Sequence, residues 1–355
     1  MRLPGLIFAE LTIAATLCAG GGYGAVRVER EARDVLAARA REGQAAPVAL
    51  AARRDLSALP DLRIALEASG TFMGMSDELL LERVRTQPIV RFKVNHGGSS
   101  LSFRIEFADG SRAAWKPTQT NTQTIPRKEV AAYRLNRLLG LNAVPPAAPR
   151  AVSREDLLSH LHPESLPLLP RIQAETIFGP GGKAVGTASY WIPIIKDSGF
   201  DTPEGQRLAQ TWLSQGQHIP RAQRDMAAQL SDLVVFDFLT ANPDRLSGGN
   251  MKMSPDGRQL YYMDNTMSFF VEPLGKQKTR DALMKTQRFS RATYAALDRI
   301  SVPTLEHVLA EETGTPYEIL TPAEIRAVVA RRDVVRQYVT VLVSEFGSTD
   351  VFAFP

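Results

Sequence analysis

Asp244 and Asp264 stand twenty residues apart, one in Asn242-Pro243-Asp244-Arg245 and the other in Met263-Asp264-Asn265. Between them, Asn250-Met251-Lys252-Met253 and Gln259-Leu260-Tyr261-Tyr262-Met263 flank Ser254-Pro255-Asp256-Gly257-Arg258, the pattern of two strands and a tight turn, with the second strand ending at Asp264. Carboxylates at both ends of a hairpin suit phosphoryl transfer. One receives or orients an attacking hydroxyl while the other holds a divalent ion that neutralises phosphate charge.

Both acids need rigid supports. Asp225 to Thr240 spaces Met226, Leu230, Leu233, Val234 and Phe238 as a buried helix would, and this helix delivers the Asp244 turn. Upstream, Ile89 to Val94 and Leu101 to Phe107 alternate apolar and polar residues around Asn95-His96-Gly97-Gly98-Ser99-Ser100. Gly97 and Gly98 in such a hairpin loop can lay backbone N–H groups over phosphates. The chain has no Gly-Lys-Ser/Thr following a glycine loop, which argues against a P-loop enzyme. After the turn Asp109-Gly110-Ser111, the short strand Arg112 to Pro117 sets Lys116 among small and apolar neighbours, as a candidate phosphate ligand. Arg127 to Leu139, closed by Gly140, has apolar residues at helical spacing, and Glu129 falls in its first turn, where the helix dipole favours an anion. A strand lysine held by a glutamate on the next helix is the ion pair that positions nucleotide phosphates in kinase-type lobes.

Ala114-Trp115-Lys116-Pro117, Lys128 to Leu139 with Val144-Pro145-Pro146, Asn242-Pro243-Asp244-Arg245 and Asp264-Asn265 together resemble the secretory-pathway Golgi casein kinase and four-jointed group of atypical kinases. More distantly they are similar to HipA-type and phosphoinositide-type kinases. The resemblance covers roughly residues 88 to 275. It implies an α+β, protein-kinase-like fold of two lobes, with a small antiparallel-sheet N-lobe carrying one key helix and a mainly helical C-lobe. It also implies ATP and Mg2+ or Mn2+ as cofactors. Lys116 and Glu129, with Gly97 and Gly98, would bind the nucleotide phosphates, Asp244 would be the catalytic carboxylate braced by Arg245, and Asp264 would chelate the metal. Gly249 stands five residues after Asp244, where kinase-type loops place a metal-binding asparagine, so Asn250, one position later, is the candidate second ligand. Thr266 stands where a glycine commonly follows the metal-binding pair. The implied reaction moves the γ-phosphoryl of ATP to a hydroxyl, first of all protein serine or threonine. A sugar or lipid hydroxyl, an inactive kinase-like scaffold and adenylyl transfer in the same cleft are the alternatives.

Four regions are expected: 1–25 a signal peptide or membrane anchor, 26–87 a helical extension, 88–195 the N-lobe and hinge, and 196–355 the C-lobe. The apolar run Leu3 to Gly24 follows Met1-Arg2 and is interrupted by Glu10, which makes export or anchoring outside the cytoplasm the first reading and a cytoplasmic chain the alternative. Glu29 to Arg54 reads as a helical spacer and Ser76 to Arg85 as a short helix. The single cysteine, Cys18, permits no internal disulfide, in contrast to the animal members of the group. A chain of 355 residues, 44% hydrophobic, is long enough for a two-lobed core. A net charge of +4 with no basic-aromatic stripe gives no support for specific nucleic-acid binding, so ATP and a hydroxyl acceptor are the expected partners. The arginines between Arg326 and Arg336 lie on a helix expected over Pro322 to Phe346 and read as its solvated face. Gly186 to Ile195 is a buried strand near the hinge, with Tyr190, Trp191 and Ile192 more suited to core than to an adenine pocket. Pro203 to Pro220 holds a helix with Leu208 and Trp212 inward, and His160 and His162 alternate as on a strand, too few to bind a metal.

Overall fold

The computed structural model describes residues 70–247 and 249–355. The apolar leader and the spacer expected over Glu29 to Arg54 lie outside these residues. The first helix among the described residues, α1 (Asp77–Thr86), starts where Ser76 caps it by accepting from the Leu79 N–H. A five-stranded sheet follows, built of β1 (Ile89–Val94), β2 (Phe103–Phe107), β3 (Arg112–Pro117), β4 (Ala147–Ser153) and β5 (Lys183–Tyr190) in the order β1-β2-β3-β5-β4. Every pairing within it is antiparallel. Alternation puts Phe103, Ile105, Phe107, Ala113 and Trp115 on the buried face. Against that face lies α2 (Arg127–Leu138), and α1 is fixed to it by Asp77, whose carboxylate accepts from Tyr133 Oη at 2.8 Å and Arg137 Nη2 at 2.6 Å.

The crossing from α2 to β4 is held by two buried side chains, Asn136 and Arg137, of which Arg137 donates to Asn142 Oδ1 at 2.9 Å. Asn136 donates to the Leu141 carbonyl at 2.9 Å and accepts from the N–H groups of Ala143 and Val144, each at 3.1 Å, so the segment entering Pro145-Pro146 keeps its polar groups paired. The Tyr262 N–H then donates to the Ala143 carbonyl at 2.8 Å, joining the crossing to the second lobe.

Gly186 on β5 is required by its neighbours. A Cβ there would sit 2.2 Å from the Lys116 carbonyl oxygen and 2.8 Å from both Pro117 Cα and Trp115 Nε1. Gly186→Ala is therefore expected to pry β5 from the end of β3 and cost about 3 kcal/mol, the upper end of the overpacking range. Urea unfolding measures it, and a loss below about 0.5 kcal/mol, the range of neutral surface changes, would mean that the strands have more room than this register gives them.

The helical lobe contains α3 (Pro203–Trp212), α4 (Arg224–Thr240), the hairpin β6 (Met251–Met253) and β7 (Leu260–Tyr262), and the 25-residue α5 (Pro322–Phe346) with a capping box made by Thr321 and Glu324. Lys196–Asp197 adds a short third strand beside β6. On α3 only Trp212 is buried, with Ala209 packed beside the core; Leu208 is exposed, because the helix is a surface element with a single buried anchor. His160 and His162 are not on a strand: His160 closes the helix Arg154–Ser159 and His162 caps a following 3-10 turn. The arginines of α5 divide. Arg331 is fully buried, not solvated, and donates from Nε to the Leu239 carbonyl and from Nη1 to those of Phe270 and Glu272, each at 2.8 Å. Tyr190 and Ile192 are core residues, packed with Phe72, Leu80 and Tyr261.

Candidate active site

At the end of β3 the side chain of Lys116 turns toward α2. Its Nζ donates to Glu129 Oε1 at 3.0 Å and lies 2.7 Å from Asp264 Oδ1. Three elements thus meet at one ammonium: the strand, the first turn of α2 and the segment after β7. Burial alone would lower the lysine pKa, but Asp264 and then Glu129 reverse this and hold it above the usual lysine range. Asp264 is held down to about 2; burial pushes it up, and the Lys116 charge and hydrogen bond, with one from Thr266, overcome that push. Both groups are therefore charged at neutral pH.

Strand β7 stops at Tyr262, two residues before Asp264, because Asp264 itself takes a left-handed conformation with φ 49°. Aspartate is among the few residues that visit this region at modest cost, since its short polar side chain can bond locally. Here the carboxylate accepts from Thr266 Oγ1 at 2.7 Å, a contact a glycine at 266 could not make. The next residue, Asn265, is buried and reaches both lobes. Its N–H donates to Glu129 Oε2 at 3.0 Å and its Nδ2 to the same oxygen at 3.2 Å, while its Oδ1 accepts from Arg245 Nη2 at 2.5 Å.

Arg245 spends its remaining donors on the framework. Nε donates to Asp237 at 3.1 and 3.2 Å, and Nη1 donates to the Asn250 carbonyl at 3.1 Å and to the Met263 carbonyl. Asp237, on the last turn of α4, is pushed up to about 6 by burial, against the pull of the Arg245 guanidinium. One arginine therefore joins the helix, both ends of the β6–β7 hairpin and the Asp264-Asn265 segment. Asp244 is placed by shorter links: its N–H donates to Asn242 Oδ1 at 2.9 Å, its carbonyl accepts from the Ser247 N–H at 3.0 Å, and its Oδ2 accepts from Asn250 Nδ2 at 3.1 Å. Asn250 also donates to the Asp244 carbonyl at 3.0 Å, so its amide group orients the Asp244 carboxylate.

Gly97 and Gly98 lie in the exposed β1–β2 loop, where Gly97 adopts φ 98°. Ser100 Oγ at the end of that loop is 2.5 Å from Thr124 Oγ1, and Leu101 N–H donates to Gln119 Oε1 at 2.8 Å, tying the loop to the stretch between Lys116 and α2. Among the described residues no three His, Cys, Asp or Glu side chains cluster into a metal cage. The donors at hand, the Asp264 carboxylate with an asparagine amide nearby on Asp244, suit a hard cation that completes its shell with phosphate oxygens and water. Asn265 and Asp237 carry positions in this network that sequence reasoning did not assign; the only signal for Asn265 was its place directly after Asp264.

Residues 76–284 match the family model described as the four-jointed box protein middle domain. No curated protein sequence matches the chain significantly. Among solved structures, the Golgi casein kinase with Mn and ADP bound is 15% identical, covers 78% of each chain and superposes with a TM-score of 0.60. A second structure of the Golgi casein kinase gives 15% identity over the same shares and a TM-score of 0.59. Hydra Fam20, solved with sugar, is 17% identical over 76% of this chain and 90% of its own, with a TM-score of 0.55. These likenesses establish the two-lobed, kinase-like α+β fold.

Proposed function

Because the chain belongs to the four-jointed box family, we propose that it is an atypical kinase that transfers the γ-phosphoryl group of ATP to a hydroxyl, with protein serine or threonine as the first acceptor. One observation carries the reading: Lys116, Glu129 and Asp264, from three separate elements, converge within 3.0 Å of the Lys116 ammonium. The bound metal–nucleotide supplies the transferable phosphoryl group and the positive charge that offsets its oxygens.

In this reading Asp264 and Asn250 would hold the Mg2+ or Mn2+ ion, and Lys116 would turn its ammonium to the phosphate oxygens. Glu129, retained by Asn265, keeps the lysine from swinging away. The glycine loop at Gly97 and Gly98 would offer backbone N–H groups to the phosphates. Asp244 accepts the proton of, or orients, the acceptor hydroxyl. Arg245 keeps Asp244 and Asp264 at a fixed separation, the positioning on which in-line transfer depends. No helix among the described residues is long and apolar enough to cross a membrane. An exported or anchored location outside the cytoplasm is proposed on the apolar leader and on the likeness to a Golgi enzyme.

The test is incubation with ATP labelled at the γ-phosphate, manganese and candidate acceptors, read by mass spectrometry for wild type and Asp244→Ala. Transfer by wild type and a loss of about 10²-fold or more in the variant are expected. Nucleotide binding without transfer in wild type would make the chain a kinase-like scaffold, and label retained from the α-phosphate would make it an adenylyl transferase.

A further inference from the structure

The first turn of α2 spends three consecutive side chains in three directions. Glu129 faces Lys116 and Asn265. Lys128, only 3% exposed, donates to the Ser268 carbonyl in the segment after Asp264 and sits 4.8 Å from the centre of the Phe270 ring. Arg127 reaches across to α5, where it grips Glu324 with two parallel bonds, Nη1 to Oε2 at 2.8 Å and Nη2 to Oε1 at 3.0 Å, and adds a bond from Nη1 to the Ile319 carbonyl at 2.6 Å. Glu324 also stands 3.6 Å from Lys128 Nζ and accepts from the Thr321 N–H at 2.8 Å, so the start of α5 is fixed by the same carboxylate that fixes the start of α2. Glu324 is 6% exposed, and its partners leave it one position. With a single cysteine, the chain has no disulfide to do this work.

We propose that Glu324 is a positioning residue for the kinase site: from the C-terminal helix it latches Arg127 and Lys128, and so sets where the carboxylate of Glu129 stands. The role of Glu129 in phosphate binding rests on the kinase reading, whereas its placement by Glu324 does not. Removing the Glu324 charge lets the first turn of α2 shift, Glu129 releases the Asn265 N–H, and Lys116 loses its fixed partner. A second buried cluster provides the comparison. Glu312, just after the helix Val302–Ala310, pairs at 2.6 Å with Arg134, two turns farther along α2, and at 2.8 Å with Arg85, away from Lys128 and Glu129.

Hydrogen exchange of the Asn265 amide reads the position of Glu129 without any turnover. In the full chain, Glu324→Gln is expected to speed that exchange about tenfold and to lower kcat about fivefold with little change in the KM for acceptor, while Glu312→Gln leaves the Asn265 exchange as in wild type. Arg127→Lys, which keeps the charge and loses the fork, gives the same direction and serves should Glu324→Gln fail to fold. Unchanged exchange at Asn265 in a folded latch variant overturns the proposal, as does equal acceleration by Glu312→Gln, which would mark general loosening. Should wild type transfer no phosphate, the kinase reading falls while the exchange arm still decides the latch.

Discussion

Asp264→Asn is expected to remove the manganese-dependent stabilisation of the protein by ADP and to lower phosphoryl transfer by about 10²- to 10³-fold, the cost of deleting one preorganised electrostatic group. The substitution keeps the shape of the side chain and its acceptor toward Thr266, and it removes the charge that meets Lys116 at 2.7 Å. At ligand concentrations about 100-fold above Kd, wild type should gain about 2.7 kcal/mol, which a thermal melt resolves with ease. In Asp264→Asn the ADP shift should be the same with and without manganese. Lys116→Met should behave differently: manganese alone still binds at Asp264, while the nucleotide shift shrinks. If Asp264→Asn keeps the full manganese-dependent shift, the metal is held elsewhere and the proposed site is wrong.

The sequence revealed the site unevenly, for reasons visible in the fold. Elements whose identity rests on local periodicity were legible: the strand Arg112–Pro117, the helix Arg127–Leu138 and the 25-residue helix Pro322–Phe346 follow from the spacing of their own apolar residues. Lys116, Glu129 and Asp264 could be picked out because each lies where such an element begins or ends. The network that joins them was hidden. Asn265 bonds Glu129 across 136 residues, Arg127 bonds Glu324 across 197, and no local pattern reports a partner so far away. The arginines of the long helix show the same limit: a run of like charges reads as solvated until a neighbouring element presents carbonyls to one of them. Arg331 meets three, which outweighs the usual preference of arginine for water.

Arg331→Met is the substitution expected to cost the fold most, about 3 kcal/mol or more, the scale for removing a buried charged partner. The last four carbonyls of α4 have no partners within the helix and must be satisfied from outside it. Those of Asp237 and Phe238 accept from Asn242 and Ala241 N–H groups in the turn, where Ala241 adopts φ 52°, and that of Thr240 accepts from the Phe269 N–H. The Leu239 carbonyl depends on Arg331. The same guanidinium holds the carbonyls of Phe270 and Glu272, so it clamps the end of α4, which leads into the Asp244 turn, to the chain that follows Asp264. Burial pulls its pKa down to about 9, with Glu272 pulling the other way, so the charge is retained at neutral pH at a desolvation cost that the three carbonyls offset. Methionine fills similar volume but donates nothing, leaving the Leu239 and Phe270 carbonyls without their partner at about 1 to 3 kcal/mol each before relaxation, while the Glu272 carbonyl keeps the Gly275 N–H. For a folded unit of this size the melting temperature should fall by about 6 to 12 °C, and amides from Thr240 to Arg245 should exchange faster than those of β1 and β2. A variant that melts within about 2 °C of wild type, under 1 kcal/mol on the same scale, would show that water or local rearrangement satisfies these carbonyls and that Arg331 does not join the end of α4 to the segment after Asp264.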